Sequence, residues 1–195
     1  MAQDSSLPDF WETRYHDNVT PWDAGRSPRD LLDFAQTLPT GARILIPGCG
    51  SGYEVMDLSR LGFDVLAIDF SQAAVDRARA LLGAQSALVQ FADFFAFDVG
   101  PPPLDVVYER AFLCALPRKL WQAYADRMAE LLQPSKLLAG FFFYRDSPRG
   151  PPFGTSPAEL HQLLDPTFEL IEDRPAADSL AVFEGGERWQ VWRRL

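Results

Sequence analysis

Short runs of apolar residues alternate along the chain with longer amphipathic segments. The apolar runs are rich in β-branched and aromatic residues and predict seven strands, at 43–47, 64–69, 87–91, 104–109, 137–144, 168–173 and 189–194. Between them, apolar side chains recur at helical spacing and predict helices over 53–61, 71–82, 118–132 and 157–164. This alternation predicts an α/β fold with a seven-stranded, mostly parallel sheet and helices on both faces.

Two parts of the chain stand outside the alternation. Residues 1–40 contain Trp11, Trp22 and two proline breaks, and we expect them to form a helical cover over a single domain of residues 1–195. The segment 147–157 is the one long irregular connection. Long loops in compact α/β domains often belong to a functional site.

Composition argues against several classes of protein. A net charge of -9 and a pI of about 4.7 disfavour nucleic acid or an anionic membrane as the partner. No apolar run reaches the roughly 20 residues of a membrane span, and the first residues lack the pattern of a secretory signal. Cys49 and Cys114 suit neither a disulfide framework nor a metal site, and we interpret both as small buried residues. We therefore expect a cytoplasmic protein that acts on a small molecule and holds no metal.

The segment RILIPGCGSGYEV, residues 43–55, predicts a ligand site at the end of the first strand. Ligands of open α/β sheets bind outside the carboxyl ends of the strands, and Gly48, Gly50 and Gly52 allow the backbone there to approach a ligand closely. A dinucleotide fingerprint, G-x-G-x-x-G, would need its third glycine at Tyr53. The spacing favours a nucleoside without phosphates, such as S-adenosylmethionine (SAM). The alternatives are a structural turn or a dinucleotide site.

Acidic residues at the ends of the next two strands strengthen this interpretation. Asp69, followed by Phe70, ends the second strand, where a carboxylate accepts hydrogen bonds from ribose hydroxyls; the alternative is a cap for the helix at 71–82. Asp93 and Phe94 follow the third strand, where they would contact an adenine amino group and ring face. The alternative is an exposed acid beside core phenylalanines. With the glycine turn, these residues predict SAM as cofactor, S-adenosylhomocysteine (SAH) as product, and a Rossmann-like class I methyltransferase fold.

Six segments carry a resemblance to a known family: DFWETRYHDNVTPWDAG (9–25), RILIPGCGSGYEV (43–55), VLAIDFS (65–71), DFF (93–95), VYERAFLCALP (107–117) and GPPFGTSPAEL (150–160). In order, from about residue 9 to 165, they resemble the thiopurine S-methyltransferase family. Its members use SAM to methylate thiols, thiocyanate or halides, and selenium or tellurium compounds. The resemblance implies a monomer with SAM contacts at Trp11, Trp22, Gly48, Asp69, Asp93, Phe94 and Arg110. One departure is Glu109, where the family commonly has aspartate.

Two residues are candidates for catalysis. Arg110, at the end of the fourth strand, would attract an anionic sulfur or selenium nucleophile. Its alternative role is an ion pair with one of three carboxylates: Glu109, Asp105 and Asp93. Asp23 would orient the substrate or accept a thiol proton, unless it is an exposed turn acid. Trp11 and Trp22 would face the sulfonium or the adenine, or else anchor the N-terminal helix.

Methyl transfer to an ionised soft nucleophile, by direct in-line displacement, needs little proton chemistry. The protein then mainly aligns the reactants and excludes water. We therefore interpret His16 and His161 as surface or packing residues. Phe112, Phe153 and Tyr144 are expected to wall the acceptor pocket, with Phe153 on a lid.

Two other functions remain open. A nicotinamide-dependent oxidoreductase uses a similar sheet, but Tyr53 replaces the third glycine and no Tyr-x-x-x-Lys proton relay is present. A non-catalytic SAM-binding protein is the second alternative. The segments YER (108–110) and FYRD (143–146) differ from the family pattern, and this difference is compatible with a protein that binds SAM without catalysis.

Overall fold

The computed structural model describes residues 4–146, 149–183 and 185–195, and one seven-stranded sheet forms their centre. Its strands are β1 (Arg43–Pro47), β2 (Asp64–Asp69), β3 (Val89–Phe91), β4 (Val106–Arg110), β5 (Leu137–Phe143), β6 (Phe168–Pro175) and β7 (Glu187–Arg194). Their order is β3-β2-β1-β4-β5-β7-β6, and β7 runs antiparallel to both of its neighbours. The other pairs are parallel, which confirms the predicted fold class.

Helices cover both faces of the sheet, as predicted. They are α1 (Pro8–His16), α2 (Arg29–Ala35), α3 (Tyr53–Arg60), α4 (Gln72–Leu82), α5 (Trp121–Leu131) and α6 (Pro157–Leu164). Helices α2, α3 and α4 share a core with one face of the sheet, and α5 and α6 share a core with the other face. Within the described ranges, no helix combines the length and the apolar character needed to cross a bilayer.

Strand β1 contributes to both cores. Ile44 and Ile46 pack in the same cluster as Val55 of α3, whereas Leu45 packs with Met128 of α5 on the opposite face. Successive side chains of a strand point to opposite faces, so a strand buried on both sides needs a continuous apolar run. The burial of β1 therefore explains the run that precedes the glycine turn.

Helix α1 lies against the beginning of α4. The Oε2 atom of Glu12 accepts hydrogen bonds from the Ser71 hydroxyl at 2.7 Å and from the Ala73 backbone N–H at 3.0 Å. A carboxylate at this position satisfies free N–H groups and interacts favourably with the positive end of the helix dipole. Glu12 therefore fixes α1 on the domain.

The predicted N-terminal cover, residues 1–40, divides into two parts. Helix α1 and the residues after it lie over the sheet edge where the ligand site is predicted. Helix α2 instead packs into the core, where the Phe34 ring lies 5.5 Å from that of Trp189 on β7. The cover is thus shorter than expected, because the apolar face of α2 is part of the core.

Several predicted boundaries differ in the structure, two of them where a 3-10 turn forms. The third strand begins at Val89 rather than at residue 87, because Gly83–Leu88 forms a 3-10 helix after α4. The helix predicted over 118–132 begins with a separate 3-10 turn, Arg118–Leu120, before α5. Residues at these junctions use hydrogen bonds to the third preceding residue, which tighten the chain.

The fourth and fifth strands also end differently from the prediction. Strand β4 begins at Val106 and includes Arg110, whose backbone pairs with Phe141 of β5. Strand β5 ends one residue before Tyr144, which forms only an isolated bridge with Thr155. Arg110 is therefore held by the sheet rather than by a loop.

Candidate active site

A cavity of about 280 Å³ lies at the carboxyl ends of β1, β2 and β4, beneath α1 and the residues that follow it. The strand order reverses between β1 and β4, and this is where open α/β sheets bind ligands. All but one of the predicted site residues line the cavity: Trp11, Trp22, Asp23, Gly48, Gly50, Asp69, Phe70, Asp93, Phe94 and Arg110. The exception is Gly52.

The glycine turn forms one wall of the cavity. Gly50 has a φ of +54°, and a Cβ atom there would lie 2.8 Å from the hydroxyl of Tyr15. Gly52 has a φ of +80°, and a Cβ atom there would lie 2.9 Å from Cβ of Ala78 on α4. Gly50 therefore makes room for the Tyr15 side chain, and Gly52 lets the turn pack against α4.

Asp69 presents a buried carboxylate at the end of β2. Its Oδ2 atom accepts a hydrogen bond from the Gly50 N–H at 3.1 Å, and its Oδ1 atom accepts one from the Ser71 N–H at 2.9 Å. Burial raises the pKa of Asp69 to about 6, although these hydrogen bonds lower it. Because a carboxylate has about four acceptor sites, Asp69 keeps capacity for ligand hydroxyls while it also supports the start of α4.

The end of β3 supplies an acid and an aromatic ring. Phe94 is buried, and its ring lies 5.0 Å from that of Phe112 in an edge-to-face contact. Asp93 is exposed, and its Oδ1 atom accepts a hydrogen bond from the Phe95 N–H at 3.0 Å. Both residues line the cavity, so its outer end offers a carboxylate beside an apolar ring.

Two tryptophans close the cavity from the N-terminal side. The rings of Trp11 and Trp22 meet edge to face, with centroids 5.3 Å apart. The indole N–H of Trp11 donates to the carbonyl of Ser5 at 2.8 Å, and that of Trp22 donates to the Tyr15 hydroxyl at 3.4 Å. These contacts anchor α1 and place both rings in the lining, so the two predicted roles are compatible.

Arg110 points into the cavity from a buried ion pair. Its Nε atom lies 3.2 Å from Oε1 of Glu187, and an Nη atom donates to the Asp178 carbonyl at 3.3 Å. Burial lowers the pKa of Arg110, but the Glu187 carboxylate outweighs this and raises it, so the guanidinium is charged. Its guanidinium also lies 4.6 Å from the centre of the Phe141 ring.

The ion-pair partner of Arg110 is none of the three carboxylates considered from the sequence. Glu109 instead accepts a hydrogen bond from the backbone N–H of Phe112 at 2.9 Å, and Asp105 pairs with Lys136 at 2.6 Å. Neighbouring residues of a strand point to opposite faces, so Glu109 is directed away from the Arg110 side chain.

Asp23 lies in the lining, close to the glycine turn. Its Oδ2 atom accepts a hydrogen bond from the Ser51 hydroxyl and lies 4.0 Å from Nη1 of Arg77. Its Oδ1 atom accepts one from the Gly25 N–H at 2.8 Å. Asp23 therefore holds the segment after α1 against the turn, in addition to facing the cavity.

The remaining lining is largely apolar and differs from the expected acceptor wall. It comprises Ala111, Phe112, Cys114, Ala115, Leu116, Pro151, Pro152, Val182 and Phe183. Phe112 is in place, but Phe153 packs against the second core and Tyr144 accepts a hydrogen bond from Gln190, so neither lies in the lining. Pro151 and Pro152 line the cavity where Phe153 was expected.

The remaining predictions concern the two cysteines, the two histidines and the lid segment. Cys49 and Cys114 are free and buried, as predicted, and both lie in the lining. His16 pairs with Glu12 on the surface, and His161 pairs with Asp165. Residues 147 and 148 of the predicted lid lie outside the described residues.

Sequence reasoning missed two acids of this region and the role of a third. Glu54, in the first turn of α3, lines the cavity, and burial raises its pKa to about 7. Glu187 pairs with Arg110, and Glu109 is fully buried beneath the turn that carries Phe112. Their spacing along the chain carries no signal, because α3, β7 and β4 meet only in the folded sheet.

The cavity suits a phosphate-free nucleoside. Gly48 and Gly50 line the cavity without side chains, and the buried Asp69 carboxylate has acceptor sites left for ribose hydroxyls. The lining offers Asp93 and Phe94 for a base, and it places the carboxylates of Asp23 and Asp69 against the glycine turn. The sheet order and this donor set together define a class I SAM-dependent methyltransferase.

Comparison with known proteins identifies the family. The sequence matches the model of the family Thiopurine S-methyltransferase (TPMT) over residues 6–194. It is 31% identical over 196 residues to a thiopurine S-methyltransferase from Xanthobacter autotrophicus, with 89% of this chain and 92% of that protein covered. It is 29% identical over 194 residues to thiocyanate methyltransferase 1 from Brassica oleracea, with 95% of this chain and 84% of that protein covered.

A solved structure shares the fold at lower identity. Magnesium protoporphyrin IX methyltransferase from Synechocystis PCC 6803, solved with bound SAM, superposes with a TM-score of 0.75 at 15% identity. The superposition covers 100% of this chain and 98% of that chain. The chain therefore belongs to the thiopurine S-methyltransferase family, as its motifs predicted, and is a SAM-dependent methyltransferase of a soft nucleophile.

Proposed function

We propose that the acceptor is a small anionic sulfur nucleophile, either a thiolate or thiocyanate, and that it is methylated by direct in-line displacement. One observation carries the proposal: the charged guanidinium of Arg110 faces the cavity beside a wall formed mostly by apolar side chains. An apolar wall excludes water, and a fixed cation attracts a soft anion there.

The cofactor end of the cavity is assigned to the residues around the glycine turn. We propose that Gly48 and Gly50 accommodate the nucleoside, that Asp69 accepts hydrogen bonds from the ribose, and that Asp93 and Phe94 contact the adenine. When bound there, SAM supplies an electrophilic methyl group on a positively charged sulfur. Further contacts are assigned to the other predicted cofactor residues in the lining, Trp11, Trp22, Phe70 and Arg110, whereas Gly52 is assigned to the packing of the turn against α4.

The chain's contribution to the reaction is alignment and electrostatics. Arg110 holds the negative charge of the acceptor, and its own position is fixed by Glu187 and by the pairing of β4 with β5. Asp23 is proposed to orient the acceptor, or to take the proton of a thiol that arrives neutral. The tryptophans close the site against water.

Two groups of relatives bear on the choice between a small acceptor and a thiopurine. The thiocyanate and thiol methyltransferases among the relatives support a small acceptor, whereas the bacterial thiopurine enzymes make a thiopurine the second candidate.

A panel of acceptors tests the proposal. SAH formation is measured with SAM and with thiocyanate, hydrosulfide, thiophenol, selenite, tellurite and 6-mercaptopurine. We expect the highest kcat/KM for hydrosulfide, thiophenol or thiocyanate. A preference for 6-mercaptopurine would reverse the choice of acceptor, and SAH binding without turnover on any compound would favour a non-catalytic SAM-binding protein.

We also propose that the enzyme works as a cytoplasmic monomer on a small-molecule acceptor. Its two cysteines are free and buried, which suits a reducing compartment, and its net charge of -9 disfavours polyanionic partners. Light scattering coupled to gel filtration tests the oligomeric state, with one chain of 21.9 kDa as the expected mass.

A further inference from the structure

Glu54 is an acid of the cavity wall that the proposed roles leave unused. It follows the glycine turn directly, in the first turn of α3. Its side chain is partly buried and lies in the lining. A carboxylate beside a cofactor site, with no assigned function, is a candidate ligand-binding group.

Glu54 has more free acceptor capacity than the other acids of the lining. Each of the others accepts hydrogen bonds from neighbouring groups: Asp23 from Ser51 and Gly25, Asp69 from Gly50 and Ser71, and Asp93 from Phe95. Among the described residues, the hydrogen bond to the Glu54 carboxylate comes from its own backbone N–H. Most of its acceptor sites are therefore available to a ligand.

The surroundings of Glu54 favour a cationic ligand group. Burial raises the pKa of Glu54 to about 7, even though Arg110 lowers it. Several charged or titratable groups act on it: Asp57 on α3, Cys49 in the glycine turn, Tyr108 and Arg110 on β4, and Asp23 after α1. Arg110 is the cation among them and is already paired with Glu187, so a further positive charge beside Glu54 would be stabilised.

SAM and SAH each carry an α-ammonium and an α-carboxylate group at the end of their amino acid part. A carboxylate with free acceptor sites in the cofactor wall is complementary to the α-ammonium group, and Glu54 is such a carboxylate. We infer that Glu54 binds the α-ammonium group of SAM and SAH through charge-assisted hydrogen bonds. The inference rests on the SAM dependence of the enzyme.

This assignment makes cofactor affinity depend on pH. Glu54 binds an ammonium group as a carboxylate, so ligand binding lowers its pKa and releases a proton when the free site is partly protonated. The affinity for SAH should therefore rise from pH 6 to pH 8. 5′-Methylthioadenosine has the same nucleoside and sulfur but no amino acid part, so it should show no such rise from Glu54.

Calorimetric titration of Glu54→Gln with both ligands tests the inference. At pH 8 we expect SAH to bind about 10- to 100-fold more weakly than to the wild type, as for the loss of a hydrogen bond between charged groups. The affinity for 5′-methylthioadenosine should stay within about two-fold of wild type. Asp57→Asn is the matched control, because it removes the same charge from the same helix outside the lining, and should leave SAH binding unchanged.

Three results would overturn the assignment. In the first, Glu54→Gln binds SAH as tightly as the wild type. In the second, it loses affinity for SAH and for 5′-methylthioadenosine to the same extent. In the third, it binds SAH normally but loses turnover, which would assign Glu54 to removal of the acceptor's proton. If Glu54→Gln does not fold, Glu54→Asp and the pH dependence of the two ligands on the wild type decide in its place. A wild type that binds neither ligand would contradict the cofactor assignment itself, which is a distinct failure.

Discussion

Arg110 and Glu187 form a buried ion pair that joins two parts of the acceptor site. Nε of Arg110 lies 3.2 Å from Oε1 of Glu187, and less than a tenth of either side chain is exposed. Oε2 of Glu187 also accepts a hydrogen bond from the Leu180 N–H at 2.9 Å, and the segment after Leu180 contributes Val182 and Phe183 to the lining. Glu187 therefore positions both the guanidinium and an apolar wall.

Replacing Arg110 by lysine tests its role with the charge retained. A lysine keeps a cation but loses the planar fork that contacts Glu187 and the cavity together, so we expect kcat to fall by about 10- to 100-fold. For Arg110→Ala the expected fall exceeds 100-fold. SAH affinity, measured by calorimetry at pH 8.5, should remain largely intact in Arg110→Lys.

Stability measurements separate catalysis from folding in this pair. Arg110→Ala leaves Glu187 as a buried charge without its partner and is expected to lower the free energy of unfolding by about 3–5 kcal/mol. Combining it with Glu187→Gln should recover part of that loss without restoring turnover. Near-normal turnover of a folded Arg110→Ala would refute the catalytic role.

The turn that carries Phe112 depends on Glu109. Glu109 is fully buried and accepts hydrogen bonds from the Phe112 N–H at 2.9 Å and the Tyr124 hydroxyl at 3.3 Å, while Ala111 has a φ of +57°. That backbone conformation is strained for alanine, so the turn relies on the surrounding contacts. Glu109 is thus a positioning residue for a ring of the cavity wall.

Glu109→Ala should release this turn. It leaves buried donors unpaired, which costs about 1–3 kcal/mol of stability each, and should raise KM for the acceptor more than it lowers kcat. Glu109→Asp retains the carboxylate and should keep most of the activity. An equal loss in both variants, measured by steady-state kinetics on folded protein, would contradict the positioning role.

The sheet could be predicted because its strands are continuous apolar runs. The strand Arg43–Pro47 is buried on both faces and is apolar after its first residue, so the sequence shows it as a continuous apolar run. Ser71 marks the start of α4 as the predicted cap. The strand at Val89–Phe91 was predicted too long, because Leu88 is apolar whether it belongs to a strand or to the 3-10 turn before it.

The cofactor end of the site could be predicted and the acceptor end could not. Gly50 and Asp69 follow their strands directly, so their place at one sheet edge follows from the topology. The partner of Arg110 is on β7, which enters the sheet antiparallel, and no local pattern gives the register of Glu187. Phe153 was chosen for its aromatic ring, although the backbone turns it toward the core.

Helix α1 should loosen when its link to α4 is removed. Glu12→Ala deletes the hydrogen bonds from the Ser71 hydroxyl and the Ala73 N–H, which are worth about 1–3 kcal/mol together with their charge. Because α1 carries Trp11, SAH affinity should also fall several-fold. Asp9→Ala, an exposed change on the same helix, should alter neither unfolding nor binding measurably.

Asp69 should make nucleoside binding depend on pH in a lower range than Glu54. Burial raises the pKa of Asp69 to about 6, and its protonated form accepts ligand hydroxyls less well. We therefore expect the affinity for 5′-methylthioadenosine, which lacks the group proposed to contact Glu54, to fall as the pH drops from 7 to 5. In Asp69→Asn this affinity should be low and almost independent of pH over that range.

The same residue should act in the opposite sense on the stability of the ligand-free protein. Its pKa of about 6 in the folded chain exceeds the usual aspartate value of about 3.9, so the folded chain binds this proton more tightly than the unfolded chain. Its contribution to stability is then greatest below about pH 4, declines between pH 4 and 6, and is lost above that range. Urea unfolding measures this effect: as the pH rises from 4 to 7, the free energy of unfolding of the wild type should fall relative to that of Asp69→Asn. A stability difference that is constant from pH 4 to 7 would mean that Asp69 has the same pKa in the folded and the unfolded chain. The pH dependence of ligand binding would then have to come from another group.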